Sequence, residues 1–244
     1  MIRNSLILLS LSFLVAGVCS CDKDDDKDII PEYVDLGLSV KWATFNVGAS
    51  QPEEYGDFYS WGETSDKSVY EWSTYGFFKK AVTISGQIVP RDSIKVTKYC
   101  SNSEKGYKEF VDSIAVLEPA DDVATVRLGG GWRMPTEKEF QELIDSCTWT
   151  WTTLNGVEGC VVTSNVKGFT DSSIFLPAAG YKGSKAYFEN RGHYWTSSVN
   201  EDDPDTAYGL IFYTEKKNQK TVLSNDISCD GSRYLGRSVR AVCP

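Results

Sequence analysis

Metal-binding side chains are scarce in this chain of 244 residues, which has one histidine, His193, and two methionines. Seven cysteines are present, but no two of them stand in a C-x-x-C spacing. Zinc and iron sites of ordinary composition need several imidazole ligands or closely spaced thiolates. The sequence therefore predicts no metal centre and no cofactor.

Positive charge is also in short supply, with 25 Lys and Arg residues against 34 Asp and Glu residues and a formal net charge of −9. A body of this charge is repelled by phosphate backbones, so we expect no nucleic-acid partner. Long apolar runs are missing after the first twenty residues, and we predict no segment that spans a membrane.

Recognisable catalytic sets are missing as well. His193 could form a triad with some of the many Ser and Asp residues, but no G-x-S-x-G elbow accompanies it. Acidic residues are abundant, yet nothing singles out a pair for glycoside hydrolysis. We therefore predict that the protein is not an enzyme and that His193 is a loop or sheet residue.

The beginning of the chain is its most informative part. Residues 5–18 form an apolar run too short to span a bilayer, and Ser20 stands just before Cys21. This pattern resembles a bacterial lipoprotein signal and predicts a signal peptide over 1–20 with a lipid on Cys21. The alternative is ordinary secretion with Cys21 incidental, and Cys19 is a competing acceptor for the lipid.

An acidic tether follows over residues 21–31, with five aspartates between 22 and 28. This run resembles the export signal that sends Bacteroidetes lipoproteins to the outer face of the outer membrane. We therefore expect a protein anchored to the membrane by its lipid and facing the extracellular side.

One helix is predicted, over residues 136–147. Thr136 is a suitable N-cap, and Glu139 three residues later completes a capping box. The apolar residues inside this segment fall at helical spacing, so they share one face that must be buried. They are Phe140, Leu143, Ile144 and Cys147.

Most of the remaining pattern predicts short strands, and Asn155-Gly156 predicts a two-residue hairpin turn. Residues 64–116 are interpreted as a loop-rich insertion without a core of its own, with a possible hairpin over 81–89. Strands, one helix and then many strands predict an α+β fold dominated by antiparallel sheet. The predicted strand regions are 33–48 (two runs broken by Gly37), 148–153, 159–164, 173–181, 193–198, 206–214 and 238–243.

Several blocks carry a resemblance to a known family, among them YVDLGLSVKWAT, YGDFYSWGET, GGGWRMPTEKEFQELID, IFLPAAGY, YWTSS and YLGRSVRAVCP. They resemble the Fibrobacter succinogenes major paralogous domain, which belongs to the formylglycine-generating-enzyme-like branch of C-type-lectin-like folds. The resemblance implies one such domain over 32–244, with its first and last strands together, a helix on the sheet and long loops at one end. It also implies a disulfide between Cys147 and Cys243.

The chain departs from that family at its cysteines. Phe45 stands where family members often carry Cys, so Cys100 lacks the expected partner. Whether Cys160 and Cys229 pair is left open. The formylglycine-generating relatives bind copper through a closely spaced thiol pair, whereas Cys229 and Cys243 are fourteen residues apart.

The tryptophans divide into three predicted groups. Trp72 has the best claim to exposure, and an exposed aromatic ring could stack on a sugar, although a packed insertion explains it equally well. Trp149 and Trp151 are expected to pack beside the helix. The remaining four are expected in the core: Trp42, Trp61, Trp132 and Trp195.

The resemblance also implies a recognition surface, because bacterial and phage members of this branch use the last third of the chain for binding. The matching segments are 186–192, 199–208 and 224–234, whose residue types give adaptable polar contacts around aromatic anchors. The loop 200–205 has a carboxylate density that suits calcium, but a solvated acidic loop is the favoured interpretation. The candidate ligand-binding residues are Tyr187, Asn190, Arg191, Asp202, Asp203, Asp205, Tyr208, Asp226, Asp230, Arg233 and Tyr234.

These observations together predict a surface-exposed lipoprotein with a non-catalytic binding module that recognises a protein or a glycan. One alternative is a structural or accessory component of a surface assembly. The other is an enzyme of the formylglycine-generating branch that lacks the usual metal thiols.

Overall fold

A computed structural model describes residues 29–80, 94–183, 187–188, 191–217 and 220–244. The predicted signal peptide, the lipidation site at Cys21, most of the tether and the possible hairpin over 81–89 lie outside these ranges. Within them, no helix combines the length and the apolar character needed to cross a membrane.

The described part of the chain is built mainly of antiparallel strands in small sheets, with few helices. This confirms the predicted predominance of antiparallel sheet. The helices are α1 (Val123–Leu128) and α2 (Glu137–Ser146). The strands are β1 (Tyr33–Val34), β2 (Lys41–Ala43), β3 (Phe78–Lys80), β4 (Ile94–Val96), β5 (Cys147–Leu154), β6 (Val157–Ser164), β7 (Ser173–Pro177), β8 (Tyr181–Lys182), β9 (Tyr187–Phe188), β10 (Gly192–Val199), β11 (Thr206–Lys217), β12 (Lys220–Ser232), β13 (Gly236–Arg237) and β14 (Val242–Cys243).

Helix α2 begins as its sequence predicts. The Thr136 hydroxyl accepts a hydrogen bond from the Glu139 amide at 3.3 Å, and the Glu139 carboxylate accepts one from the Thr136 amide at 2.7 Å. Two of the amides that have no partner within the helix are thereby satisfied. Phe140 and Leu143 are fully buried, which confirms the predicted core face.

The hairpin of β5 and β6 also confirms its prediction. Asn155 and Gly156 connect the strands with φ angles of +48° and +88°, the left-handed conformation that a type I′ turn requires. On β5, Trp149 and Trp151 place their rings 5.6 and 6.3 Å from that of Phe212 on β11. The two three-stranded sheets β5–β6–β7 and β10–β11–β12 therefore pack through aromatic side chains.

The two ends of the described chain meet in one sheet, in the order β1-β2-β14. Trp42 of β2 pairs with Val242 of β14 and lies fully buried. The predicted strand over 238–243 is wrong in extent, since only its last part forms β14. The residues just before it do not form a strand, although Ser238 makes an isolated β-bridge with Tyr194 of β10.

Side chains of the insertion join the cores of the surrounding domain. Tyr99 packs in one cluster with Trp61 and Trp195, and Tyr70 packs in another with Phe58. Around the segment 81–93, which lies outside the described residues, β3 and β4 pair in antiparallel fashion. The four tryptophans predicted in the core are all buried.

The predicted disulfide between Cys147 and Cys243 is absent, and both thiols are free. Neighbouring residues on β14 face opposite sides, as in any strand. Val242 packs into the cluster that contains Cys147, whereas Cys243 packs against the other cluster, which contains Ala43. Cys100 and Cys160 are buried free thiols as well.

Candidate binding surface

The acidic loop of residues 200–205 is held against the insertion rather than displayed freely. The Lys105 ammonium group lies 2.9 Å from the Asp203 carboxylate and 2.7 Å from the Asp205 carboxylate. The Ser101 hydroxyl donates to the backbone carbonyl of Glu201. Asp203 and Asp205 thus have a structural role, which makes them poor candidates for ligand contact.

Burial changes the electrostatics of this ion-pair cluster. It raises the pKa of Asp205, and the hydrogen bond from Lys105 only partly opposes this. Burial also disfavours the charged form of Lys105, but the bonds to Asp205 and Asp203 outweigh it and raise the lysine pKa. Across the described ranges, no group of three or more His, Cys, Asp or Glu side chains is arranged to hold a metal ion.

Arg233, predicted to bind a ligand, is fully buried. Its Nε donates to the Tyr75 hydroxyl at 2.8 Å, and its Nη1 donates to the carbonyls of Lys98 and Pro204 at 3.1 and 3.0 Å. Its guanidinium lies 4.6 Å from the Trp61 ring centroid. The prediction for Arg233 is therefore wrong, because this side chain joins the insertion, the loop 200–205 and the core.

The other candidates are spread over the surface. Arg191 is exposed, and its guanidinium lies 4.4 Å from the ring centroid of Tyr213 on β11. Asp202 and Asp226 are exposed, on the acidic loop and on β12 respectively, and Tyr208 is half-buried. The described part of the structure does not include Asn190 or the side chains of Tyr187, Asp230 and Cys229.

Two aromatic residues that the sequence singled out separately come together in space. The Trp72 ring contacts that of Tyr234, with centroids 5.1 Å apart, and that of Phe78, with centroids 5.7 Å apart. All three are half-buried. We call Trp72, Phe78 and Tyr234 the aromatic platform. Of the two interpretations that the sequence leaves open for Trp72, these ring contacts favour the packed insertion, and the side chain keeps partial exposure.

The platform rests on a buried base. Tyr234 packs against the cluster of Phe58 and Tyr70, and burial raises its pKa, with a further contribution from nearby Tyr181. Lys182 places its ammonium group 4.5 Å from the Phe58 ring centroid. The rings of the platform therefore support one another and the buried cluster beneath them. Sequence reasoning missed Phe78 and Lys182, whose positions depend on pairings that no local pattern indicates.

A polar depression of about 360 Å³ opens near the platform. Two of its carboxylates have fixed positions. Glu63 pairs with Lys67 at 2.5 Å and accepts the Gly76 amide at 2.8 Å. The Asp121 carboxylate accepts a hydrogen bond from the Tyr99 hydroxyl at 2.5 Å. We call this depression the polar cleft, and it is lined by Gly62, Glu63, Thr64, Ser65, Asp66, Lys67, Ala120 and Asp121.

No family model, curated protein or solved structure matches this chain. Its likeness to the major paralogous domain therefore stays a prediction carried by the sequence blocks.

His193 lies on β10, so of the two predicted positions, loop or sheet, it occupies the sheet. It is buried, and its ring packs edge-on against that of Tyr181, with centroids 4.8 Å apart. The aromatic platform and the polar cleft offer stacking and hydrogen bonding, which are the interactions of a binding surface.

Proposed function

We propose that this chain is a surface-exposed lipoprotein with a single C-type-lectin-like domain of the major paralogous domain type. The domain binds a protein or a glycan and does not catalyse a reaction. The observation that carries this proposal is the aromatic platform. Trp72 and Phe78 come from the insertion and Tyr234 from the end of the last recognition segment, and their rings converge at the surface. Clusters of partly exposed aromatic rings are typical of binding sites.

The location part of the proposal rests on the beginning of the sequence. A lipid on Cys21 and an acidic tether would display the domain outside the outer membrane. Fixed loops around the platform support a pre-organised surface, since less conformational freedom is lost on binding. The loop 200–205 is one such fixed element, because Lys105 holds two of its carboxylates.

A direct test uses the full-length lipidated chain in detergent. It is applied to a glycan array and to a pull-down of host surface proteins, and any captured ligand is retested with Trp72→Ala. We expect the substitution to weaken binding about tenfold, because it removes the largest ring of the platform. Tyr33→Ala is the matched control, since Tyr33 is an exposed aromatic residue on β1 and its loss should leave affinity unchanged.

Two results would contradict the proposal. One is a ligand whose affinity does not change in Trp72→Ala. The other is the absence of any ligand of either class, which would favour a structural component of a surface assembly.

A further inference from the structure

We propose that the ligand is a neutral glycan, with one sugar ring stacked on the aromatic platform and the hydroxyl groups of another bound in the polar cleft. This inference rests on the proposed function and specifies its ligand class. It depends on three properties of the structure: the proximity of platform and cleft, the hydrogen-bonding groups of the cleft, and the balance of charge around it.

The platform and the cleft are neighbours through Tyr75. The Trp72 ring centroid lies 5.7 Å from that of Tyr75, and the Lys67 ammonium group lies 5.7 Å from the same centroid. Lys67 lines the cleft and also donates to the carbonyl of Thr74 at 3.0 Å. The two features are therefore separated by no more than the Tyr75 ring, a distance that an oligosaccharide of a few residues spans.

The cleft presents the groups that bind sugar hydroxyls. Thr64 and Ser65 supply hydroxyls, and Asp66 supplies an exposed carboxylate. Glu63 and Asp121 are held in place by their own partners, so their remaining acceptor positions are oriented before a ligand arrives. Hydrogen bonds to charged groups are stronger than those between neutral groups, which suits recognition of hydroxyl donors.

The charges around the cleft disfavour an anionic ligand. Its carboxylates are Glu63, Asp66 and Asp121, and Glu118 lies beside them through its ion pair with Lys98 at 2.6 Å. The ammonium groups of Lys67 and Lys98 balance only part of this negative charge. An acidic sugar would meet a net negative surface and be repelled.

A bare cation is disfavoured for a different reason. Glu63 already pairs with Lys67 at 2.5 Å, and Asp121 already pairs with Lys98 at 2.5 Å. A metal ion would have to displace these ammonium groups. The cleft thus offers oriented donors and acceptors to an uncharged polyol, beside aromatic rings that match the apolar face of a sugar.

The inference is tested by calorimetric titration of the full chain with named neutral and acidic oligosaccharides. The neutral probes are cellohexaose, maltohexaose and chitohexaose, and the acidic probe of equal length is hexagalacturonate. We expect at least one neutral probe to bind and the acidic probe to bind at least about tenfold more weakly. Trp72→Ala should reduce the affinity for the neutral probe about tenfold, and Asp66→Asn, at an exposed position, should reduce it severalfold.

Tyr33→Ala serves again as the control and should bind like the unchanged chain. The inference is overturned if no neutral probe binds, if hexagalacturonate binds best, or if Asp66→Asn and Trp72→Ala leave the affinity for the neutral probe unchanged. If a protein ligand depends on Trp72 while no neutral probe binds, this inference fails and the proposed function stands. If neither class binds, both fail.

Discussion

Two arginines near the C-terminus act as internal cross-links at the scale of single residues. Arg240 is fully buried and donates to the carbonyls of Ala43, Thr44 and Phe175 and to the side chain of Asn46, at 2.9 to 3.0 Å. Burial lowers its pKa to about 10, because the charged form is taken out of water. Three oxygens of the segment 43–46 and one of β7 depend on this one side chain.

Arg233 has the same role between the insertion and the rest of the domain. The family resemblance predicts a binding role for it, because it lies in the segment 224–234 of the implied recognition surface. Its neighbour Tyr234 does reach the surface, while Arg233 points inward against Trp61 and Tyr75. Composition alone cannot separate two adjacent residues that face opposite ways, so this part of the site could not be predicted.

The role of Arg233 gives a residue-scale prediction. Arg233→Ala should lower the free energy of unfolding by roughly 3 kcal/mol or more, because buried acceptors on Lys98, Pro204 and Tyr75 lose their donor. Urea unfolding followed by circular dichroism measures the change. Arg191→Ala is the matched control: it removes an exposed arginine and should shift stability by no more than about 0.5 kcal/mol. Equal effects of the two substitutions would refute the assignment.

At the scale of elements, the parts that were predicted correctly are those whose signals are local. The capping box of α2 and the Asn155-Gly156 turn each lie within a few residues of sequence. The segment before β14 reads as strand in the sequence because its apolar alternation is the same whether or not a neighbouring strand is available. The prediction of a disulfide between Cys147 and Cys243 is wrong for a similar reason, because the direction of the Cys243 side chain depends on which core its strand neighbour faces.

Helix α2 provides the prediction at this scale. Thr136→Ala removes the oxygen that accepts the Glu139 amide and should lower the free energy of unfolding by about 1 kcal/mol. Thr136→Ser keeps that oxygen and should remain within a few tenths of a kcal/mol of the unchanged chain. Both values come from urea unfolding curves with unchanged slopes. A serine variant as unstable as the alanine variant would show that the cap is not the stabilising feature.

At the scale of the whole molecule, burial raises the pKa of several cysteines and tyrosines in the described interior. Burial raises the pKa of Cys160 and of Tyr70 to about 12 and that of Cys147 to about 11. It is also the main cause that raises the pKa of Tyr99 to about 12, with the bonded Asp121 adding to it. Ordinary values are about 8.5 for Cys and about 10 for Tyr. The folded state therefore keeps protons that the unfolded chain releases.

This difference predicts a loss of stability in alkaline solution. The contribution of these groups to the free energy of unfolding should be fully present below about pH 8. It should fall as pH rises from the unfolded pKa of the cysteines towards the raised folded values. Each group that ionises only in the unfolded chain lowers the free energy of unfolding by up to about 1.4 kcal/mol per pH unit. Arg240 acts in the opposite direction only above about pH 10, where its folded form begins to lose its proton. Urea unfolding between pH 7.5 and pH 10, with reductant present, isolates the window in which thiols dominate. Cys160→Ala should flatten the decline measurably, and an unchanged slope in that variant would show that the Cys160 thiol is not held protonated by burial.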